Sequence, residues 1–316
     1  MQIERFVTQF DTHAQPFTQA YQVGAVPGGE CFLLLSPQAA VLVDSGFGFC
    51  GQQMVERVER HLNGRALDFI LLTHSHYDHV LGSAWALRRW PGAKVIASGY
   101  CAKILSKPSA LQTMAEMDEA ARIYYDGAPV SQDYFADLRV DETLEDGEET
   151  SLNGLRMRCV ALPGHTRCSV GFYFPDSRLL LGCETLGVYT GGERVIPSYL
   201  VGFAMTVASI KKAMDLPMDT MLVSHLGMIY GDECKQLLSL SLHWMLKTRD
   251  VLIADWRAGR SQEQLVERFR EMFYRDDLRH IQPEKAFYLN TGYTVAVTVR
   301  ECGEPRADAA GQSQAG

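Results

Sequence analysis

Asp68-Phe69-Ile70-Leu71-Leu72-Thr73-His74-Ser75-His76-Tyr77-Asp78-His79 runs without a spacer from an apolar segment into a dense set of ligand-type side chains. The apolar half, Asp68 to Thr73, is short and lacks polar alternation, which predicts a strand buried on both faces. The polar half places three histidines and one aspartate within six residues. Imidazole nitrogens and carboxylate oxygens are good ligands for zinc, iron and manganese. A turn at the C-terminal end of a strand can aim neighbouring side chains at different points. His74 and His76 can then serve one cation while Asp78 and His79 serve a second. The ordinary alternative is a His-rich surface loop, and the density of the cluster argues against it.

One loop cannot enclose two cations, so further ligands are expected at other strand ends. His165 follows a predicted strand in Leu162-Pro163-Gly164-His165-Thr166. Glu184 follows another in Gly182-Cys183-Glu184-Thr185, and His225 a third in Val223-Ser224-His225-Leu226-Gly227. His13, His61, His243 and His280 lie outside such settings and read as ordinary surface or core residues.

Working outward, Cys31 to Ser36 and Ala40 to Asp44 are apolar runs broken by Ser-Pro and read as paired strands. Met54, Val55, Val58 and Leu62 share one face of a predicted helix over 51–62. A helix over 83–90 and a strand over 94–97 follow the cluster. Residues 100–137 break the rhythm and read as a helical insertion beside the sheet, a candidate lid, with a helix over 109–125. Beyond the turn at Asp146-Gly147-Glu148, strands are expected at 155–161, 170–174, 178–181 and 220–224, with a helix at 203–214. From Asp232 the pattern is helical: a long amphipathic stretch over 234–255, then a helix opened by the capping box Ser261-Gln262-Glu263-Gln264. A last helix from Pro283 through Val299 competes with strand because of its Thr, Val, Gly and Tyr content. The expected organisation is a catalytic domain over 1–230, a helical cap over 231–302 and a disordered tail over 303–316, which has little to bury.

Composition narrows the function. The chain has 316 residues, is 47% hydrophobic and carries a net charge of −8. An acidic balance argues against a nucleic-acid partner, because phosphate contacts need a basic face. The eight cysteines form no CxxC pair and suit a reducing, cytoplasmic setting. No leader-like segment or apolar run long enough to span a bilayer is legible, so no membrane partner is expected. The expected partner is a small-molecule substrate, with a homodimer left open.

The ordered set His74-x-His76-x-Asp78-His79, then Pro163-Gly164-His165-Thr166, an acidic residue after a Leu-Leu-Leu-Gly strand, and a last strand-end histidine resembles the metallo-β-lactamase-fold superfamily over about residues 20–230. The resemblance implies an α/β architecture, an αβ/βα four-layer sandwich, here with a helical C-terminal extension. It implies that His74, His76 and His165 bind one cation, that Asp78, His79 and His225 bind the other, and that the acidic residue bridges them. Asp44, in Val41-Leu42-Val43-Asp44-Ser45-Gly46, matches an acidic position that supports the site from behind. The bridging position departs from the usual Gly-Asp. Alignment on Thr185-Leu186-Gly187 puts Glu184 there, and alignment on Gly182 puts Cys183 there. The helical extension loosely resembles quinolone-signal response proteins and thioesterase-like members. That suggests a pocket roofed by apolar helices, with Met228, Trp244, Phe273 and Phe287 as lining candidates or plain core.

The implied cofactors are two divalent metal ions, zinc first, with iron or manganese as alternatives. The implied function is hydrolysis of a thioester, ester or lactone by a hydroxide held between the cations, oriented by Asp78. Tyr77 and Tyr189 are candidate hydroxyl donors to substrate, or ordinary packed tyrosines. Phosphodiester cleavage is the alternative within the hydrolases. A regulatory metal-binding protein is another. A di-iron oxidoreductase like the flavodiiron proteins is disfavoured, because His76 stands where those resemble Glu and no flavin domain fits in the remaining length.

Overall fold

The computed structural model describes residues 9–11, 16–189, 193–274, 278 and 282–303. His13, His280 and the expected disordered tail beyond Gly303 lie outside the described residues. Strands β1 (Gln9–Asp11), β2 (Gln19–Gln22), β3 (Phe32–Leu35), β4 (Ala40–Val43), β5 (Phe69–Leu71), β6 (Lys94–Ser98) and β7 (Glu142–Leu144) lie side by side in chain order. The second sheet contains β8 (Glu149–Leu152), β9 (Leu155–Ala161), β10 (Val170–Phe174), β11 (Leu179–Leu181), β14 (Thr220–Val223) and β15 (Gly227–Tyr230), with β14 inserted beside β11. A small hairpin of β12 (Val188–Tyr189) and β13 (Val195–Ile196) stands apart.

The near-continuous apolar strands are explained by burial on both faces. Phe32, Leu34, Val41, Val43, Phe69 and Leu71 of the first sheet meet Met157, Phe172, Leu181 and Leu222 of the second in one core between the sheets. The alternate residues Leu33, Leu42, Ile70 and Val95 pack outward in a second core. That core is covered by α1 (Gly51–Leu62) and α3 (Gly82–Arg89), which flank the short α2 (Tyr77–Val80) in the chain. Behind the second sheet, Tyr173, Leu180 and Met221 pack against α6 (Phe203–Met214) and α7 (Asp232–Arg257). Each fully buried Leu, Val or Phe contributes about 1.5–3 kcal/mol of transfer free energy. The result is the expected four-layer sandwich.

The insertion forms α4 (Gly99–Leu105), α5 (Pro108–Tyr124) and a 3-10 turn at Gln132–Asp137. Beyond α7, α8 (Gln262–Phe273) opens with the expected capping box between Ser261 and Gln264. The last segment resolves as helix, α9 (Glu284–Cys302). Phe269, Phe273, Phe287 and Val295 share an apolar cluster of the C-terminal helices. Tyr199 Oη lies 2.7 Å from Thr298 Oγ1, and Phe203 N donates to Glu301 at 2.9 Å, so α9 is pinned to the start of α6. No described helix is long and apolar enough to cross a membrane.

Asp118 fastens the insertion to the sandwich. Its carboxylate accepts from Gly48 N at 2.9 Å and from Tyr134 Oη at 3.1 Å. Burial pushes its pKa up to about 6, against 3.8 for a free carboxyl, although those hydrogen bonds pull the other way. A raised folded-state pKa means the folded chain binds the proton more tightly. The associated stability is present below about pH 4 and is lost as pH rises through about 6, worth up to about 3 kcal/mol. Urea midpoints at pH 5 and pH 7.5 should therefore diverge more for the wild type than for Asp118→Asn. Equal divergence in both would refute this assignment.

Candidate metal centre

The strand ends converge at one edge. β4 runs parallel to β5, and β11 parallel to β14, so their C-terminal ends lie on the same side of each sheet. His74 and His76 follow β5, with His76 capping α2, whose first turn carries Asp78 and His79. His165 sits between β9 and β10, Glu184 opens a 3-10 turn after β11, and His225 lies between β14 and β15. Gly164 is needed beside His165. Its φ is +146°, and a Cβ there would lie 2.0 Å from Thr206 Oγ1.

Two groups of ligand atoms form. His74, His76, His165 and Glu184 make one, and Asp78, His79 and His225 the other; within each, one atom per residue lies within 4.8 Å of the rest. Glu184 stands between them. Its Oε2 is 2.5 Å from His165 Nε2 and 3.4 Å from His74 Nε2, while its Oε1 is 2.8 Å from His225 Nε2. Cys183 does not share this place. Its side chain is buried in the apolar cluster behind the second sheet, where burial pushes its thiol up to about 12.

Outer partners fix which nitrogen of each ring faces inward. Asp44, in the left-handed region at φ 53°, accepts from Thr73 N at 2.8 Å and from Thr73 Oγ1 at 2.9 Å, and lies 2.8 Å from His79 Nδ1. Having donated to Asp44, the Thr73 hydroxyl can accept from His74 Nδ1, 3.0 Å away. Ser198 Oγ lies 2.8 Å from His165 Nδ1. Glu30 Oε2 lies 2.7 Å from His225 Nδ1. Each of these partners can accept the Nδ1 proton of its ring, the Ser198 carbonyl oxygen at 3.1 Å from His165 Nδ1 included, which leaves Nε2 of these four histidines facing inward. His76 turns Nδ1 inward instead, 2.9 Å from His165 Nε2. The reading of the sequence reached Asp44 but missed Ser198 and Glu30. Neither belongs to a motif, and both act from loops distant in the chain.

The donors fit divalent cations. His74 Nε2 and His79 Nε2 are buried and have no hydrogen-bond partner among the described residues. Unsatisfied buried polar atoms are costly. Inward lone pairs on several rings, facing two carboxylates, require positive charge among them. Burial holds His74 well below the usual imidazole range and His76 at about 3, so both stay neutral donors. Burial would lower His79 as well, but the Asp44 and Asp78 carboxylates reverse this and hold it at about 9. Burial opposes charge on Glu184, yet the histidines, His165 foremost, keep its carboxyl well below the usual range. A cation bound here would displace the protons that otherwise answer this charge demand.

The centre forms the floor of a cleft of about 280 Å³. Thr113, Met117, Ala121 and Tyr125 line it from the insertion, and Ala286, Leu289, Asn290 and Tyr293 from α9. Tyr77 joins the lining and lies 5.6 Å from the Phe47 ring, while Tyr189 is buried in the apolar cluster behind the second sheet and does not line the cleft. Of the two readings of Tyr189, the packed tyrosine is the one its burial fits, because its two-residue strand turns it inward. Met228, Trp244, Phe273 and Phe287 also pack in cores, and the roof comes from the opposite face of α9. His61 stacks on Tyr21 with centroids 3.8 Å apart, and His243 sits beside Trp244, both away from the centre.

Two facing mixed sheets between helical layers, with these residues gathered at one edge, define the class. The metallo-beta-lactamase superfamily model matches residues 26–225, and the chain belongs to that superfamily. It is similar to a metallo-beta-lactamase fold-containing protein of Sulfurisphaera tokodaii, 29% identical over 181 residues, 55% of this chain and 67% of that protein. It is 29% identical over 157 residues to a hydroxyacylglutathione hydrolase of Brucella anthropi, covering 50% of this chain and 46% of that one. The chain thus spans about half the length of that hydrolase. The crystal structure of a metallo-beta-lactamase family protein from Thermus thermophilus superposes with a TM-score of 0.59 at 20% identity, over 94% of this chain and 93% of that one.

Proposed function

We propose that the chain is a metal-dependent hydrolase that cleaves a thioester, ester or lactone in a small organic substrate. The observation that carries this reading is the convergence of five imidazoles with Asp78 and Glu184 at the floor of a substrate-sized cleft. His74, His76 and His165 would hold one cation, Asp78, His79 and His225 the other, and Glu184 would bridge, with Asp44 behind His79. Bound divalent cations supply Lewis acidity and a lowered pKa for water. Zinc suits this donor set first, and iron or manganese also fit.

The chain's own residues supply the rest. Asp78 reaches the cleft, and burial raises its carboxyl above the usual range, which makes it a better proton acceptor. Tyr77 lines the same wall and offers a hydroxyl towards a developing oxyanion. Met117, Ala121, Leu289 and Tyr293 form walls that suit an apolar substrate portion and exclude water around the reacting bond. No Lys or Arg stands among the described lining residues, which favours uncharged esters over phosphodiesters. The eight unpaired cysteines support a reducing, cytoplasmic location. The proposed division is a catalytic unit over 1–230 and a helical cap over 231–302.

A panel of neutral thioesters, esters and lactones, a glutathione thioester and a phosphodiester tests this reading. The expected outcome is hydrolysis of a neutral carbonyl substrate, abolished by chelation and restored by zinc or manganese. Chelator-resistant hydrolysis, or cleavage of the phosphodiester alone, would refute it.

A further inference from the structure

The outer partners of the centre are not alike. Those of His74 and His165 are uncharged: the Thr73 hydroxyl, and the hydroxyl and backbone carbonyl of Ser198. Those of His79 and His225 are the carboxylates of Asp44 and Glu30, and both rings belong to the group that contains Asp78. Carboxylates thus touch two rings of the second position directly, whereas the Asp44 carboxylate reaches His74 only through the Thr73 hydroxyl.

Glu30 is built into place. It comes from the loop between β2 and β3, 195 residues before His225, and its side chain is only 10% exposed, His225's 9%. The backbone N of Gly28 donates to both of its carboxylate oxygens, at 3.1 and 3.0 Å. Gly29 lets the loop close, since a Cβ there would lie 2.4 Å from the Phe47 ring. His225 is itself held in the left-handed region at φ 60°. A backbone clamp on one side and an imidazole on the other leave the carboxylate one orientation.

We propose that Glu30 is a positioning residue for the second cation position, formed by Asp78, His79 and His225. A carboxylate can only accept, so it fixes the proton of His225 on Nδ1 and frees Nε2, which lies 2.8 Å from Glu184 Oε1. Its charge also makes that nitrogen a stronger donor, the usual effect of an outer-shell carboxylate on a ligating histidine. Its direct contact is with a ring of the second position alone, because the first group's rings lean on other residues. This inference rests on the two-cation reading above.

The test is calorimetric titration of metal-free protein with Zn²⁺ alone, for the wild type, Glu30→Ala, Glu30→Gln and His165→Ala. Two binding steps are expected in the wild type. Glu30→Ala should weaken one of them by about 10–100-fold and leave the other unchanged. Glu30→Gln, which keeps an acceptor but loses the charge, should fall between. His165→Ala should weaken the other step. Circular dichroism and the Tm of the metal-free proteins show whether the variants are folded. Unchanged titrations in the Glu30 variants overturn the proposal. So does equal weakening of both steps accompanied by a lowered metal-free Tm, which marks a merely structural role. A wild type with a single step overturns the two-cation reading instead. The Glu30 assignment then stands only if that step weakens in Glu30→Ala and survives in His165→Ala.

Discussion

Asp78→Asn is expected to fold normally and to lose hydrolytic turnover by roughly 10²–10⁴-fold, the usual worth of a positioned proton acceptor. Asp78 lies on the first turn of α2, its side chain 21% exposed towards the cleft and 3.7 Å from His79 Nε2. Asparagine preserves the shape and one oxygen, so His79 and its Asp44 partner remain in place. What is lost is the negative charge, and with it the capacity to take a proton and part of the hold on the proposed second cation, so the assay is run in saturating zinc. The loss should therefore fall on kcat and leave KM nearly unchanged. Steady-state kinetics on the best ester or thioester, with circular dichroism as the fold control, give the answer. A variant with near wild-type kcat would remove Asp78 from the mechanism.

The second large effect concerns Glu184→Gln. One carboxylate oxygen faces His165 at 2.5 Å and the other faces His225 at 2.8 Å, so a single side chain serves both groups of ligands. An amide offers one acceptor oxygen and no charge. If Glu184 bridges as proposed, its loss should exceed the 10–100-fold typical of an outer partner. Metal content after dialysis should drop to about one ion per chain or fewer. Cys183→Ala is the informative companion, because that thiol is buried among apolar side chains behind the sheet. It should leave metal content unchanged. If Cys183→Ala strips the metal and Glu184→Gln does not, the bridge has been assigned to the wrong residue.

The parts of the fold legible in the sequence were those where local pattern and burial agree. Helices over Gly51–Leu62 and Phe203–Met214 and strands over Leu155–Ala161 and Val170–Phe174 fall on the expected residues. Each carries a strong apolar face or run and ends at clear turn chemistry. β7 and β8, with exposed Glu and Thr positions, lack that apolar signal and went unread. β15, Gly227-Met228-Ile229-Tyr230, also went unread, being four residues long and opened by a glycine. The ambiguous last segment became helix because Thr291, Thr294, Val295 and Thr298 recur at helical spacing on its buried face. At the centre, the residues of dense or motif-like stretches were named and the structure brings them together. Glu30 was invisible, because a lone glutamate in a Gly-rich loop gives no local sign of a histidine 195 residues away. For Tyr189 the sequence left donor and packed residue both open, because nothing local says which way a two-residue strand points its side chains, and its burial fits the packed reading.

Elemental analysis of protein purified without chelator or added metal, beside a chelated control, tests the central claim most directly. Two cation positions mean about two divalent ions per chain. A well-folded sample that holds none and refuses added zinc, manganese and iron would contradict it.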